Sequence, residues 1–262
     1  MRYLSIFSFS IALWLFFSCS DNTGKSNLES VADKEAIEWV KYADKNIVEE
    51  APSCIASPDR CAAVRINYPE ITEAPASLPK GLLNSHIQKA ILKGSLDPEG
   101  QAGEVTKACK KFIEDFITFE KEMEQEVAAW SVEIDIEVIN NDANYFSLRI
   151  DENAYLGGAH SNQHTSFLTY DIVTGQKVTL DQLIKDTDRL RALAEQKFRE
   201  AKKLPPGANL SEAGYFFEEG EFTLTHNFGI SQGNLLLYYN NYDIAPYALG
   251  PTLLELPLEI IL

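Results

Sequence analysis

From Trp130 to Val138 the chain alternates: Trp130, Val132, Ile134, Ile136 and Val138 are apolar, and Ser131, Glu133, Asp135 and Glu137 between them are polar. A period of two belongs to a strand with one face buried, here with an acidic outer face. Asn141-Asp142-Ala143-Asn144 then makes a turn, and Tyr145 to Ile150 returns as the second arm of an antiparallel hairpin. Helical spacing appears in two places. Leu82, Leu83, His86, Ile87, Ala90 and Ile91 recur at three- and four-residue steps, with Gly94 to end the helix. Val105 to Glu126 is the longest such signal, with Phe112, Phe116, Phe119 and Met123 on one stripe and Ile113 and Ile117 beside it. That stripe reads as core rather than as a cofactor box.

The remaining pattern fills in around these. Glu29 to Val48 has loose helical spacing (Ala36, Trp39, Val40, Ala43) amid charges. Cys61 to Tyr68 reads as a strand stopped by Pro69, and Ile71 to Pro79 as a loop. Thr165 to Asp171 is a strand followed by a Val173–Gln176 turn. Thr179 opens a short helix as its capping residue. Asp188 to Lys203 is a charged helix closed by Pro205-Pro206-Gly207. Glu221 to Phe228 and Asn234 to Tyr239 form a second hairpin around Gly229–Gly233, and Pro251 to Leu256 is a last strand. Helices ahead of a sheet-rich half predict an α+β fold, antiparallel sheets packed by helices.

The N-terminus stands apart. Arg2 is the only charge before residue 21, and the stretch from Leu4 to Phe17 is apolar apart from Ser5, Ser8 and Ser10. This is the form of a secretory signal, too short to span a bilayer permanently. Leu15-Phe16-Phe17-Ser18-Cys19 resembles a bacterial lipoprotein box, with its Leu one position further back than usual. Residues 1–18 are therefore expected to be a signal peptide and Cys19 the lipidated start of the mature chain. Residues 19–50 would then form a lipid-anchored tether and a weak helix. This predicts a cell-envelope location outside the cytoplasm, with the membrane contacted through the lipid.

Composition narrows the partners. The 262 residues are 45% hydrophobic and 24% charged, as in globular proteins. Lys and Arg number 23 against 39 Asp and Glu, a formal charge of −16. That excludes nucleic acid, whose phosphates need a basic surface, and disfavours anionic head groups. It favours a basic partner without naming one.

Setting Cys19 aside, three cysteines remain. Cys54 and Cys61 bracket a Ser57-Pro58-Asp59 turn, as a disulfide closing a small loop would. Their spacing is not that of a zinc site. Cys109 falls in a helical pattern and reads as a buried thiol.

Candidate chemistry is sparse. His160 and His164 lie four apart, but Gly157-Gly158 puts them in a loop or strand rather than on a helix, so no metal site is expected. Glu133, Asp135 and Glu137 share a strand face and read as solvated rather than Ca²⁺-binding. No nucleophile-elbow, zinc-helix or phosphate-loop motif occurs, and no cofactor is expected. Gly157-Gly158 predicts a tight bend, with His160 satisfying buried backbone groups there. Tyr242 and Tyr247 flank Pro246, either as core ring-stackers or as a surface recognition cluster.

Three segments carry a resemblance: Tyr155-Leu156-Gly157-Gly158-Ala159-His160; Phe167 to Asp171 running on to Leu183; and Phe222 to Asn227 followed by Tyr242-Asp243-Ile244-Ala245-Pro246-Tyr247-Ala248-Leu249-Gly250-Pro251. In this order they resemble the RsiV-like domain family, the extracellular lysozyme-binding domain of an anti-sigma factor. A similar region precedes the catalytic domain of PdaC-type peptidoglycan deacetylases. The resemblance implies a two-part module, residues 51–150 and 151–262, in the cell envelope. With neither a cytoplasmic anti-sigma segment nor a deacetylase domain in evidence, it implies neither sigma-factor regulation nor deacetylation. The leading function is non-catalytic binding of a basic, lysozyme-like protein or of peptidoglycan glycan, through Tyr155, His160, Tyr242 and Tyr247. An enzyme acting on cell-wall glycan and a structural part of an envelope assembly are the alternatives.

Overall fold

The computed structural model describes residues 39–56, 61–123 and 127–262. The expected signal peptide, Cys19 and most of the tether lie outside these residues. Among the described residues, eight strands form two sheets, with four α-helices.

The first sheet has the order β1 (Lys41–Glu50), β2 (Ala63–Glu73), β3 (Ser131–Asn141), β4 (Tyr145–Tyr155), β5 (Asn162–Asp171). All its ladders are antiparallel except β2 to β3, where Ala63 pairs Ser131 in parallel. A parallel pair needs a crossover. Here α1 (Lys80–Leu92) and α2 (Val105–Glu122) supply it. Their apolar stripes pack on one sheet face, Leu83, Ile87, Ile91, Phe112 and Phe116 against Val64, Ile66, Val132, Ile134 and Leu148. The aromatic stripe of α2 closes round Trp130, whose ring lies 5.1–5.9 Å from those of Phe112, Phe116 and Phe119.

The second sheet, β6 (Phe228–Ser231), β7 (Asn234–Tyr239) and β8 (Thr252–Pro257), is antiparallel throughout. With α3 (Leu180–Leu183) and α4 (Thr187–Lys202) it encloses a second core. Leu190, Ala194 and Phe198, four residues apart on α4, are fully buried. Gln182 accepts a hydrogen bond from the Thr179 N–H, so the predicted start of α3 is in place. Asp186 caps α4 through the Arg189 N–H.

β6 lies across the face of the first sheet opposite the helices, and the polar groups between them are satisfied. The Ser147 and Thr169 hydroxyls are 2.8 Å apart, the Ile230 N–H donates to Ser147 Oγ, and Ser231 Oγ donates to the Ile139 carbonyl. Along β4 this face runs from Ser147, buried beneath β6, through Arg149 and Asp151 to Asn153, so it emerges from cover as the strand proceeds.

Four expectations are corrected. From Lys41 on, the expected helix over residues 29–48 is strand β1: its charges line an exposed edge strand, which the helical count mistook for a solvated helix. β2 runs through Pro69, still paired with β1, because its parallel ladder with β3 ends at Asn67 and no strand on that side asks Pro69 for a donor. Two strands precede α1, so helices do not simply lead the sheet. Gly229 is a β6 residue, and the hairpin turns at Gln232 and Gly233, both at positive φ (48° and 76°).

Candidate functional site

Where the first sheet emerges from under the second half there is a recess of about 260 Å³. Strand pairing builds it. Glu133, Asn153 and Gln163 form one cross-strand row, and Asp135, Asp151 and Thr165 the next. Tyr238, Asn240, Asn241 and Pro251 form the opposing wall. The spacing that made Glu133 and Asp135 look like a solvated face thus continues across β4 and β5 into a walled site.

Acceptors dominate it. Arg149 forms an ion pair with Asp151 (Nε to Oδ2, 2.7 Å) and lies 5.9 Å from the Tyr238 ring centre. Burial works against its charge, but the Asp151 hydrogen bond and carboxylate raise its pKa overall. Asp151 also accepts from Thr165 Oγ1 (2.6 Å), and Asp135 from Asn67 Nδ2 (2.7 Å). Glu133 has no ion pair among the described residues. The Asn153 and Asn241 side-chain oxygens are buried without a hydrogen-bond partner among the described residues. Buried acceptors of this kind are uncommon and call for a donor.

Asn240 fixes the wall. Its side-chain oxygen accepts from the Thr165 N–H (2.6 Å) and its amide donates to the Thr165 carbonyl (3.0 Å), as a neighbouring strand would. Asn227 Nδ2 donates to the same carbonyl (2.7 Å).

Beyond Gln163 and Asn241 the two loops at the recess meet. Gly157 takes φ +84°, which makes the predicted bend between β4 and β5. His160 is exposed, not buried beneath that bend. Its ring stacks on Tyr247 with centroids 4.1 Å apart, and Tyr242 lies 5.7 Å from Tyr247. His160 Nδ1 is 3.0 Å from the Ser161 carbonyl and Nε2 is 3.5 Å from the Tyr242 hydroxyl. Tyr242 is 56% exposed and held at φ +68°. These rings form a surface cluster, the second of the two arrangements the sequence allowed. Tyr155, half-buried at the end of β4, has no ring contact with them.

Cys54 and Cys61 form a disulfide, with Cα atoms 4.5 Å apart. They and Glu50 are the one grouping of metal-type ligands among the described residues, and the disulfide occupies both sulfurs. Cys109 is a buried free thiol, and burial pushes its pKa up to about 11. Sequence reading missed Asn153, Asn240 and Asn241. The hairpin register would have placed Asn153 opposite Glu133, but nothing local marks the other two.

The chain is thus an α+β module with an acceptor-rich recess beside an exposed ring cluster. Residues 55–163 match the family described as "Deacetylase PdaC" and residues 180–259 the family described as "Protein of unknown function (DUF3298)". The first half is thus similar to the PdaC family and the second to the DUF3298 family, in keeping with the resemblance to RsiV-like domains and PdaC-type deacetylases. Among solved structures, a DUF3298 member from Bacteroides fragilis aligns with TM-score 0.67 at 23% identity, covering 84% of this chain and 91% of its own. A DUF3298 protein from Pseudomonas aeruginosa aligns with TM-score 0.63 at 18% identity, with the same coverage. At these identities the likeness establishes the fold. No curated protein matches.

Proposed function

We propose that this is a non-catalytic recognition protein of the cell envelope, anchored by a lipid on Cys19. Its recess receives basic side chains of a protein ligand, with a lysozyme-like muramidase as the class to which the resemblance points. The PdaC-type and DUF3298 segments support the envelope setting. Among the described residues, no helix is long and apolar enough to cross a membrane.

One observation carries the binding chemistry: Glu133, Asp135 and Asp151 converge with two partnerless amide oxygens, against the single, already paired cation Arg149. A guanidinium or ammonium group supplies donors to all of these at once. Beside them, His160, Tyr242 and Tyr247 offer rigid, amphipathic contact area. His160 is held by rings and a backbone carbonyl rather than by a carboxylate, which supports binding over acid–base chemistry.

The test is titration of the full chain with hen egg-white lysozyme at low and moderate salt. Saturable binding is expected, weakened roughly tenfold or more by Glu133→Gln with Asp135→Asn. Absence of saturable binding at both salt concentrations overturns the reading. Muropeptides tested by thermal shift form the comparison arm, since a glycan ligand would raise the unfolding temperature instead.

A further inference from the structure

The opposite face of the first sheet carries a second concavity. α1 meets β5 at one point, where His86 lies 2.7 Å from the Tyr170 hydroxyl, but past His86 its Lys89, Ala90 and Lys93 stand apart from Ile150, Ser166 and Leu168. This leaves a groove of about 720 Å³ between α1 and the β4–β5 hairpin. That volume lies within the range of small-molecule sites. Its floor is Ile150, Ser166 and Leu168, and Ala90 of α1 forms one wall. Leu156, 50% exposed, stands at its mouth.

The rim differs from the rest of the molecule. Lys89, Lys93 and Lys177 surround the groove, and none forms an ion pair among the described residues. In a chain with 39 acids and 23 Lys and Arg, three unpaired lysines round one apolar floor stand against the overall charge. Their fields converge: after desolvation, Lys89 and Lys177 both lower the pKa of His86, which faces the same groove and lies 2.7 Å from the Tyr170 hydroxyl. The acid in the lining, Glu152, is already engaged by the Ser95 N–H (3.0 Å).

A peptide joining the β5 edge as a new strand does not fit. Asn240 and Asn227 hold the Thr165 N–H and carbonyl, and the Thr169 carbonyl accepts from the Val178 N–H. A ligand must therefore be held by floor and rim, with an apolar body below and negative charge above.

We propose that this groove binds a single-chain amphiphilic carboxylate, its alkyl portion on Ile150 and Leu168 and its head group between Lys89 and Lys177. The groove lies on the opposite face of the sheet from the acidic recess and meets it only at Glu152 and His164, neither of which the proposed ligand uses, so it stands or falls independently of the proposed protein ligand. The probe is dodecanoate, titrated below its micelle concentration into the full chain carrying Cys19→Ser, which removes the lipid attachment point. Saturable one-to-one binding is expected, weakened roughly tenfold by Lys89→Gln with Lys177→Gln and lost in Ala90→Phe. Because Ala90→Phe could perturb packing, Lys177→Glu at the exposed rim is the second variant, expected to weaken dodecanoate but not lysozyme. The proposal is overturned if dodecanoate does not saturate, if dodecanol binds equally well, or if both lysine variants bind as the parent does.

Discussion

Gly229 is constrained by packing rather than by the turn in which the sequence places it. In the sequence it looks like part of a turn. In the fold, a Cβ there would come within 2.5 Å of the Phe167 ring and 3.1 Å of Ile139. The residue lets β6 approach the first sheet, and its φ is not the constraint. Gly229→Ala should destabilise by about 1–3 kcal/mol, the usual cost of overpacking, seen as a lower urea midpoint. Cys109 is the reverse case, a residue whose bland reading holds. Buried, with a pKa of about 11, it should not react with a thiol reagent at pH 8 while the protein is folded, and should react on denaturation. His86 adds a pH signature. Its pKa is lowered in the folded state, first by burial and then by Lys89 and Lys177. The unfolded state therefore binds the proton more readily, and stability is lost as pH falls through the unfolded value near 6.5. In His86→Gln the part of the melting-temperature drop between pH 7.5 and 5.5 that is due to this group should disappear.

Among the elements, those with strong periodic burial were legible and those defined by their neighbours were not. β3 and α2 each bury one clear face, so alternation and the Phe112–Phe116–Phe119 stripe revealed them. β1 is an edge strand exposed along most of its length, and its charges carry no period to read. Pro69 looked like a stop because the sequence does not say where a parallel ladder ends. The β5 edge depends on Asn240, a side chain 75 residues away. Asn240→Ala leaves the Thr165 amide without its partner in a buried setting. A loss of about 1–3 kcal/mol is expected, with faster hydrogen exchange at Thr165. The Cys54–Cys61 disulfide closes a loop of seven residues' separation. Replacing both with Ser should cost about 2–3 kcal/mol in the chain-entropy account, measured against the same variant background.

For the whole molecule, charge sets two opposite salt responses. At −16 the folded chain repels itself, so raising salt from low to physiological strength should raise the melting temperature. The same screening should weaken binding of a basic protein, chiefly through the association rate. A ligand that binds more tightly as salt rises would not be using the recess as proposed.

The sequence by itself determined the α+β class, the strand and helix faces, the disulfide loop and the acidic surplus. Each is a local or additive property, set by periodicity, by short spacing or by counting. Only the tertiary structure decided where those pieces meet. Asn153, Asn241 and Glu133 come from strands and loops distant along the chain, and the recess exists because β6 covers part of one sheet face and leaves the rest open. The lysine-rimmed groove exists because α1 meets β5 only at His86 and Tyr170 and leaves the space toward the β4–β5 hairpin open on the other face. His160 likewise sits on the surface because its ring finds Tyr247, 87 positions further along, rather than the backbone of its own bend. Such juxtapositions depend on how elements pack, and no window of residues along the chain contains that information.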